Sequence, residues 1–183
     1  MIDFLPNFKT IDFIQQPWDK EKIKDILRSC YNYAYNNSPD PNTRIGALLY
    51  ENDVFPYYLE CNRLPKAIQN ISVDLNDRSK KLFYIEHAER NAIRTARNCG
   101  VNLQESILLC TCFACCDCAR EIIDSGIKII IGHEPAYHRN NIKWKDSMIA
   151  AHDMFKEAGI ECYLLNEKIG GCICLTDNQI WEP

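Results

Sequence analysis

The carboxyl-terminal half of the chain alternates between short apolar segments and amphipathic segments. Apolar runs typical of buried strands are SILLCTC at 106–112, IKIIIG at 127–132 and IECYLL at 160–165. Helix-like segments lie between them, CDCAREIIDSG at 116–126 and residues 144–158. This strand–helix–strand–helix–strand order predicts right-handed crossover connections and an α/β fold whose sheet is covered by helices.

The amino-terminal half predicts further helices and strands that join the same domain. Ile23, Ile26 and Leu27 recur at helical spacing within the first of them. No repeat, low-complexity tract or linker-like composition interrupts the chain, so residues 1–183 are predicted to form a single domain. The predicted elements are a helix at 18–36, strands at 44–50 and 54–61 joined by a turn at 51–53, a polar loop with a short helix at 62–81, and a helix at 84–98 that ends at Asn98-Cys99-Gly100.

Charge and cysteine content narrow the class of protein. The 25 acidic and 21 basic side chains give a formal net charge of −4, whereas nonspecific nucleic-acid binding needs a basic surface. No secretory signal is recognised at the amino terminus, and no run approaches the roughly 20 apolar residues of a membrane span. The 11 cysteines are an odd number, so disulfides cannot pair them all. We expect a reducing, cytoplasmic compartment without membrane association.

Two short motifs place metal-ligand residue types at predicted helix starts. Cys115 and Cys118 form a C-x-x-C pair, and His87 and Glu89 form an H-x-E pair. A helix amino terminus favours the thiolate, which is the form of cysteine that binds zinc. One histidine and two cysteines would hold Zn²⁺ with a fourth position open to water, as in catalytic sites. Glu89 would exchange protons with that water, and the combined pattern is the signature of zinc nucleobase deaminases.

The sequence leaves other interpretations of these residues open. His87 would alternatively be a buried or capping histidine, and Glu89 would complement the helix dipole. The C-x-x-C pair would alternatively be a redox pair, or would join Cys110 and Cys112 in a closed four-cysteine zinc site. Because Cys110 and Cys112 share one strand face, we expect them to pack in the core as small hydrophobic side chains. We expect the same of the cysteines on later strand-like segments, Cys162, Cys172 and Cys174.

Four segments of the chain resemble the cytidine/deoxycytidylate deaminase superfamily. HAERNAI at 87–93 resembles its histidine–glutamate motif, and FACCDCAREIIDSGIK at 113–128 resembles its F-P-C-x-x-C-A-R-x-I-I-x-x-G-I pattern. SPDPNTRIGALLY at 38–50 and ECNRLPK at 60–66 are similar to segments of the deoxycytidylate deaminases. The resemblance runs in order from about Ser38 to Leu165. It implies a three-layer α/β/α sandwich with a mixed five-stranded sheet, usually in a homo-oligomer.

The resemblance also implies roles for single residues. His87, Cys115 and Cys118 would bind zinc, Glu89 would shuttle a proton, and Asn62 would contact the nucleotide sugar. Ala88, beside the histidine, is also expected to contact the substrate. A nucleotide phosphate needs cations, and the candidates are Arg63, Lys66, Arg78, Lys80, Lys81 and Arg120.

Two positions depart from the family pattern. Ala114 replaces the proline before the first zinc cysteine, and Glu60 replaces the glycine two places before the asparagine. We expect the first change to loosen its loop without removing a ligand. The second change affects the backbone conformation and any regulatory chemistry of its loop.

The expected reaction is zinc-dependent, hydrolytic deamination of dCMP to dUMP and ammonia, which supplies dUMP for thymidylate synthesis. dCTP, alone or beside dCMP, is an alternative substrate, and dCTP and dTTP are candidate effectors. A tRNA-editing deaminase is a further alternative, which the acidic charge balance disfavours. An alternative of another class is a zinc-stabilised binding module without catalysis, in which Glu89 would be idle and the metal would have four protein ligands.

Overall fold

A mixed sheet of six strands lies at the centre of the computed structural model, which describes residues 8–11, 13, 16–50, 58–68 and 71–183. The strands are β1 (Lys9–Thr10), β2 (Gly46–Tyr50), β3 (Tyr58–Cys61), β4 (Ile107–Cys110), β5 (Ile129–His133) and β6 (Glu161–Leu165). Their order across the sheet is β1-β6-β5-β4-β2-β3. Strands β1, β6, β5 and β4 are parallel, and β2 is antiparallel to both of its neighbours.

Helices cover both faces of this sheet. They are α1 (Lys20–Asn37), α2 (Arg78–Lys81), α3 (Ala88–Asn98), α4 (Cys116–Ser125) and α5 (Glu134–Glu157), with a 3₁₀ turn at Leu103–Glu105. Successive strand side chains face opposite sides, so Leu108 packs in one core with residues of α3, α4 and α5, whereas Leu109 packs in a second core with residues of α1. The predicted three-layer α/β/α sandwich is therefore confirmed. Among the described residues, no helix is both long and apolar enough to cross a bilayer.

Two helices begin four or more residues from their predicted starts. Helix α3 begins at Ala88 rather than at residue 84, because Glu86 exchanges two backbone hydrogen bonds with Arg63, of 3.0 and 2.8 Å, and stays extended. Helix α5 begins at Glu134 rather than at residue 144, with a proline in its first turn and the buried Tyr137 in its second. This amphipathic turn was not recognised in the sequence because residues 138–143, which follow it, are mainly polar.

The strands also differ in detail from the prediction. The first predicted strand begins at Gly46 instead of residue 44, and the second is described from Tyr58 onward. The predicted turn at 51–53 and the start of the second strand lie outside the described residues. Strand β1 was not predicted, and its two residues pair parallel to β6 and add a sixth strand to the expected five.

Cys174 was expected on a strand-like segment and begins β7 (Cys174–Thr176), but the pairing of β7 with β8 (Gln179–Trp181) in a hairpin was not predicted. Its turn residues Asp177 and Asn178 have the positive φ angles of 49° and 65° that such a tight turn requires. Backbone N–H groups donate three of the hydrogen bonds that attach the hairpin to the loop before β2. The N–H of Asp177 donates to Thr43 Oγ1 at 3.1 Å, and the N–H groups of Asn178 and Arg44 donate to backbone carbonyls across the contact at 2.9 Å.

Gly132 in β5 lets the segment between β4 and α4 lie directly against the sheet. A Cβ atom at this position would lie 2.4 Å from the carbonyl oxygen of Cys112 and 3.1 Å from the ring of Phe113. Both distances are shorter than ordinary van der Waals contact, so any larger residue would displace this segment. Since the segment leads into Cys115, the glycine helps to define the position of the C-x-x-C pair.

Candidate active site

Side chains from the starts of α3 and α4 converge on one point. His87 is the N-cap residue of α3 and Cys115 is the N-cap residue of α4, and neither side chain accepts a hydrogen bond from the backbone of the helix it caps. Cys118 follows in the first turn of α4. The N-cap side chains are therefore free to face each other, and the unpaired N–H groups of both helix starts create a positive potential around them.

The nitrogen and sulfur atoms of these three residues have the spacing of metal ligands. His87 Nδ1 lies 3.4 Å from Cys115 Sγ and 3.4 Å from Cys118 Sγ, and the two sulfurs are 3.6 Å apart. Donors around a tetrahedral zinc ion are separated by roughly 3.5–3.8 Å, given its usual bond lengths. Among the described residues, this is the one group in which at least three His, Cys, Asp or Glu side chains bring such atoms within 4.8 Å.

The two thiols differ in their acidity. A hydrogen bond from Cys118 and the neighbouring His87 lower the pKa of Cys115 to about 4, although burial opposes this. Burial, together with Cys115, raises the pKa of Cys118. Burial lowers the pKa of His87, but its contact with Cys115 and the charge of Glu89 raise that pKa overall. The protein groups by themselves thus favour one thiolate of the two, and a divalent cation that prefers imidazole and thiolate ligands suits the set.

Glu89 lies in the first turn of α3 and is only 3% exposed. Burial raises the pKa of its carboxyl group, which the charge of His87 lowers and Cys115 raises. Glu89 lines the same cleft as His87 and Cys115. The described metal-binding group contains three side chains and does not include Glu89, so a tetrahedral ion would have one position without a protein ligand.

The cleft that contains these residues has mainly apolar walls. Its apolar lining includes Ile85, Phe113, Trp144 and Met148. Trp144 meets the ring of His87 edge to face, with 5.6 Å between the ring centroids. An apolar pocket with a few convergent polar groups is typical of a small-molecule site.

Two of the predicted cations, Arg78 and Lys81, line this cleft. Lys81 is buried and donates to Asp40 Oδ1 at 2.7 Å and to Asn42 Oδ1 at 2.8 Å, so a carboxylate already balances its charge. Arg78 lies over the ring of Trp144, at 5.4 Å from the ring centroid. Within the part of the chain that the structure describes, Arg78 has no ion pair with a carboxylate. Its charge is therefore available to an anion in the cleft.

Asn62 also lines the cleft, but its amide group is occupied by the loop before β2. The amide oxygen accepts from the N–H of Ile45 at 2.9 Å and from the hydroxyl of Ser38 at 2.8 Å. The amide nitrogen donates to the carbonyl of Thr43 at 2.9 Å and faces Asp40 Oδ2 at 3.4 Å. These bonds make Asn62 an organiser of the loop that forms one wall of the cleft.

The remaining predicted substrate residues are divided between the cleft and the surface. Ala88 is fully buried and lines the cleft at the first position of α3. Arg63 does not line it and donates instead to Glu60 Oε2 at 2.9 Å and to the carbonyl of Leu64 at 3.1 Å. Arg120 is exposed and pairs with Asp117 on the surface of α4. Lys66 and Lys80 pair with Glu60 and Asp77 at 3.3 and 3.1 Å, outside the cleft.

Asn140, Trp144 and Asp177 are among the cleft residues that the sequence analysis did not predict. Asn140 is buried within the part of α5 that the polar composition concealed. Asp177 lies in the hairpin turn, for which no element was predicted. Of these three residues, only Trp144 could have been recognised from the sequence as a site residue, because it is an aromatic residue at the start of a predicted helix. Such a residue more often packs in a core.

The cysteines beside the C-x-x-C pair do not complete a four-sulfur site. Cys110 is fully buried, and its thiol donates to the carbonyl oxygen of Cys112 at 3.2 Å. Burial raises the pKa of both thiols, so each stays neutral. Within the described residues, neither belongs to the group of His87, Cys115 and Cys118. The expected packing role of Cys110 and Cys112 agrees with their burial, as does that of Cys162, Cys172 and Cys174.

Comparisons with known proteins find similar chains among deaminases. An "uncharacterized deaminase in luxG 3'region" of Aliivibrio fischeri is 30% identical over 124 residues, which cover 68% of this chain and 80% of the relative. The deoxycytidylate deaminase of Homo sapiens is 28% identical over 128 residues, which cover 67% of this chain and 68% of the relative. That of Enterobacteria phage T4 is 34% identical over 82 residues, which cover 45% of this chain and 38% of the relative.

A solved structure and a family model extend these similarities. The dCMP deaminase of cyanophage S-TIM5, in complex with dCMP and dUMP, has the same fold with a TM-score of 0.63 and 17% identity, over 81% of this chain and 99% of that one. Residues 20–134 match the model of the cytidine and deoxycytidylate deaminase zinc-binding region, a span that contains all three metal-binding side chains and Glu89. This protein therefore belongs to the cytidine and deoxycytidylate deaminase family and has the zinc-binding region of that family.

Proposed function

We propose that this protein is a hydrolytic deaminase that converts dCMP to dUMP and ammonia. The observation that carries the proposal is the convergence of His87, Cys115 and Cys118 beside the buried Glu89, in a cleft that Arg78 also lines. A metal site without a fourth protein ligand, an acid–base group and a free cation are the parts that deamination of a nucleotide requires.

The metal site and Glu89 divide the chemistry between them. When bound to His87, Cys115 and Cys118, zinc supplies Lewis acidity that makes a water molecule a better nucleophile near neutral pH. Glu89 accepts one proton from the attacking water and delivers it to the ring nitrogen, and then transfers the second proton, from the oxygen now bonded to C4, to the leaving amino group. The water oxygen forms a bond to C4 of the cytosine ring, the bond from C4 to the amino nitrogen breaks, and uracil and ammonia result. Burial of Glu89 excludes bulk water from this proton transfer.

The monophosphate is the preferred substrate for two reasons. The curated relatives from Homo sapiens and phage T4 are named deoxycytidylate deaminase, and the similar cyanophage enzyme is described in complex with dCMP and dUMP. The charge of Arg78 offers a place for one phosphate at the side of the cleft. Use of dCTP, regulation by dCTP and dTTP, assembly into a homo-oligomer and a cytoplasmic location stay predictions.

The substitution Glu89→Gln tests the catalytic part of the proposal, with Glu121→Gln on the surface of α4 as the matched control. The Glu89→Gln protein is expected to retain zinc and to lose at least about a hundredfold of its ammonia release from dCMP, because an amide cannot carry the proton. The control is expected to keep both properties. Full activity of Glu89→Gln, or bound zinc without ammonia release by the wild type, would contradict the proposal.

A substrate panel tests the remaining alternatives. Wild-type protein is incubated with dCMP, dCTP, deoxycytidine and tRNA, and the products are separated by chromatography. The proposal expects dUMP from dCMP as the fastest product. Faster turnover of dCTP would favour the triphosphate alternative, and inosine or uridine formed in tRNA would favour an editing enzyme.

A further inference from the structure

The first turn of α4 receives no hydrogen bond from the side chain of its own N-cap residue, Cys115. The thiol of Cys115 instead lies 3.4 Å from His87 Nδ1 and 3.6 Å from Cys118 Sγ. The first N–H groups of a helix have no partner within the helix, and an N-cap side chain usually accepts from one of them. Because Cys115 faces the metal site, the start of α4 depends on a side chain from elsewhere in the fold.

Ser147 of α5 supplies that side chain. The N–H of Cys116, the first residue of α4, donates to Ser147 Oγ at 3.0 Å. The hydroxyl in turn donates to Cys116 Sγ at 3.2 Å, so its donor and acceptor functions both act on one residue. Cys116 lies between Cys115 and Cys118 in the chain, so the two bonds hold the backbone that connects the sulfur ligands.

The helix that carries Ser147 is itself held in the core. Met148 and Phe155 of α5 are buried in the same core cluster as Ala119 of α4. Ser147 is half-buried and directly precedes Met148, so its hydroxyl is presented from a packed helix. A side chain on such an element positions its partner more precisely than one on a loop.

The same part of α5 also contacts the third metal-binding residue. Trp144 precedes Ser147 by one turn, and its indole meets the imidazole of His87 edge to face, with 5.6 Å between the ring centroids. Helix α5 thus contacts the starts of both helices that bring the ligands together. Outer groups that orient metal ligands typically contribute about 10–100-fold to metal affinity.

We infer that Ser147 is a positioning residue of the metal site. Its hydroxyl acts at the start of α4 in place of an N-cap side chain and keeps Cys115 and Cys118 at the spacing that a metal ion needs. Within the described residues, Ser147 does not belong to the group of metal-binding side chains. It also lies outside residues 20–134, which match the family model. The inference concerns metal affinity and holds for any substrate of the protein.

The zinc affinity of Ser147 variants tests the inference. The zinc-loaded protein is titrated with a chelator of known affinity, which gives the Kd for zinc. Ser147→Ala removes the hydroxyl and is expected to raise this Kd by about tenfold or more. Ser147→Thr retains a hydroxyl on the same helix and is expected to stay within about threefold of the wild type.

Ser125→Ala is the matched control, because it removes a half-buried serine hydroxyl from the other end of α4. Ser125 Oγ donates to the carbonyl of Ile122 at 2.7 Å. The control is expected to keep the wild-type Kd for zinc. If Ser147 only stabilised the fold, Ser147→Ala would unfold at a lower urea concentration but would bind zinc as the wild type does. That result, or a Ser147→Thr protein as weak in zinc binding as Ser147→Ala, would overturn the inference.

Amide hydrogen exchange tests the hydrogen bond itself in the zinc-loaded protein. The N–H of Cys116 is expected to exchange about tenfold more slowly in the wild type than in Ser147→Ala, as measured by nuclear magnetic resonance. A wild type without bound zinc, or with an unprotected Cys116 amide, would overturn the inference. Neither measurement requires turnover, so failure to deaminate dCMP would contradict the proposed function alone.

Discussion

The guanidinium of Arg78 lies over the indole of Trp144, with 5.4 Å between its Cζ atom and the ring centroid. The same indole also contacts the metal site, because it meets the imidazole of His87 edge to face, with 5.6 Å between the two ring centroids. A cation is thus separated from a metal-binding residue by a single aromatic ring. This arrangement agrees with the proposed binding of a nucleotide, in which the base reacts beside His87 and the phosphate contacts Arg78.

The substitution Arg78→Ala tests this arrangement. It is expected to raise KM for dCMP by about tenfold or more, since a charge-assisted hydrogen bond to the phosphate is lost. Deoxycytidine has no phosphate, so its slower turnover is expected to change little. Steady-state kinetics with both substrates measure the difference.

Arg97→Ala on the surface of α3 is the matched control for this experiment, because Arg97 pairs with Glu121 away from the cleft. It is expected to leave both substrates unaffected. An equal loss with dCMP and deoxycytidine in Arg78→Ala would show that Arg78 supports the cleft structurally and does not bind phosphate.

The sulfur ligands can be tested by metal content. Cys115→Ser and Cys118→Ser are each expected to lose most of the zinc that the wild type binds at about one ion per chain, because one of only three protein ligands is removed. Mass spectrometry of metals in purified, dialysed protein gives the ratio directly.

Cys116→Ser provides a control within the same turn of helix. The thiol of Cys116 accepts a hydrogen bond from Ser147 at 3.2 Å and does not belong to the metal-binding group. This variant is expected to bind zinc as the wild type does. Zinc at the wild-type ratio in both Cys115→Ser and Cys118→Ser would disprove the assigned ligand set.

Glu60 joins β3 to α3 and to the loop that follows Cys61. Its carboxylate accepts from Thr95 at 2.7 Å and from Arg63 at 2.9 Å, and Lys66 lies at 3.3 Å. Burial raises the pKa of Glu60, but these hydrogen bonds and positive charges lower it overall. The residue that departs from the family glycine is therefore the centre of a polar network.

The substitution Glu60→Gln is expected to lower the free energy of unfolding by about 1–3 kcal/mol at neutral pH. Because the pKa of Glu60 is lower in the folded state, its contribution is complete above the unfolded pKa of about 4.3 and is lost as pH falls through the folded pKa. The stability difference between wild type and variant should thus shrink between about pH 5 and pH 3. Urea unfolding over this pH range measures it.

Glu121→Gln serves as the comparison, since its partner Arg97 is partly exposed on the surface. A change below about 1 kcal/mol is expected there. A difference for Glu60→Gln that grew as the pH was lowered would contradict the sign derived from its pKa.

Much of the fold and of the metal site could be predicted because the signals are local. The period of apolar residues predicted a helix at 18–36, which is observed at Lys20–Asn37, and the strands around Leu108 and Ile130. His87, Cys115 and Cys118 were recognisable because ligand type and helix-start position can be judged within a few residues. The structure brings their donor atoms to within 3.6 Å of one another, as the motif predicted.

The substrate side of the cleft could not be predicted in the same way. Arg63 and Arg78 have the same charge and lie in the same polar region of the sequence, yet one bonds to Glu60 and the other lies over Trp144 in the cleft. Asp177 joins the cleft only because a hairpin more than 130 residues away bonds to Thr43. The local sequence pattern shows which face of a helix or strand is buried. The wall of a binding cleft, by contrast, is formed by contacts between distant segments. The energies of those contacts depend on the complete packing of the chain.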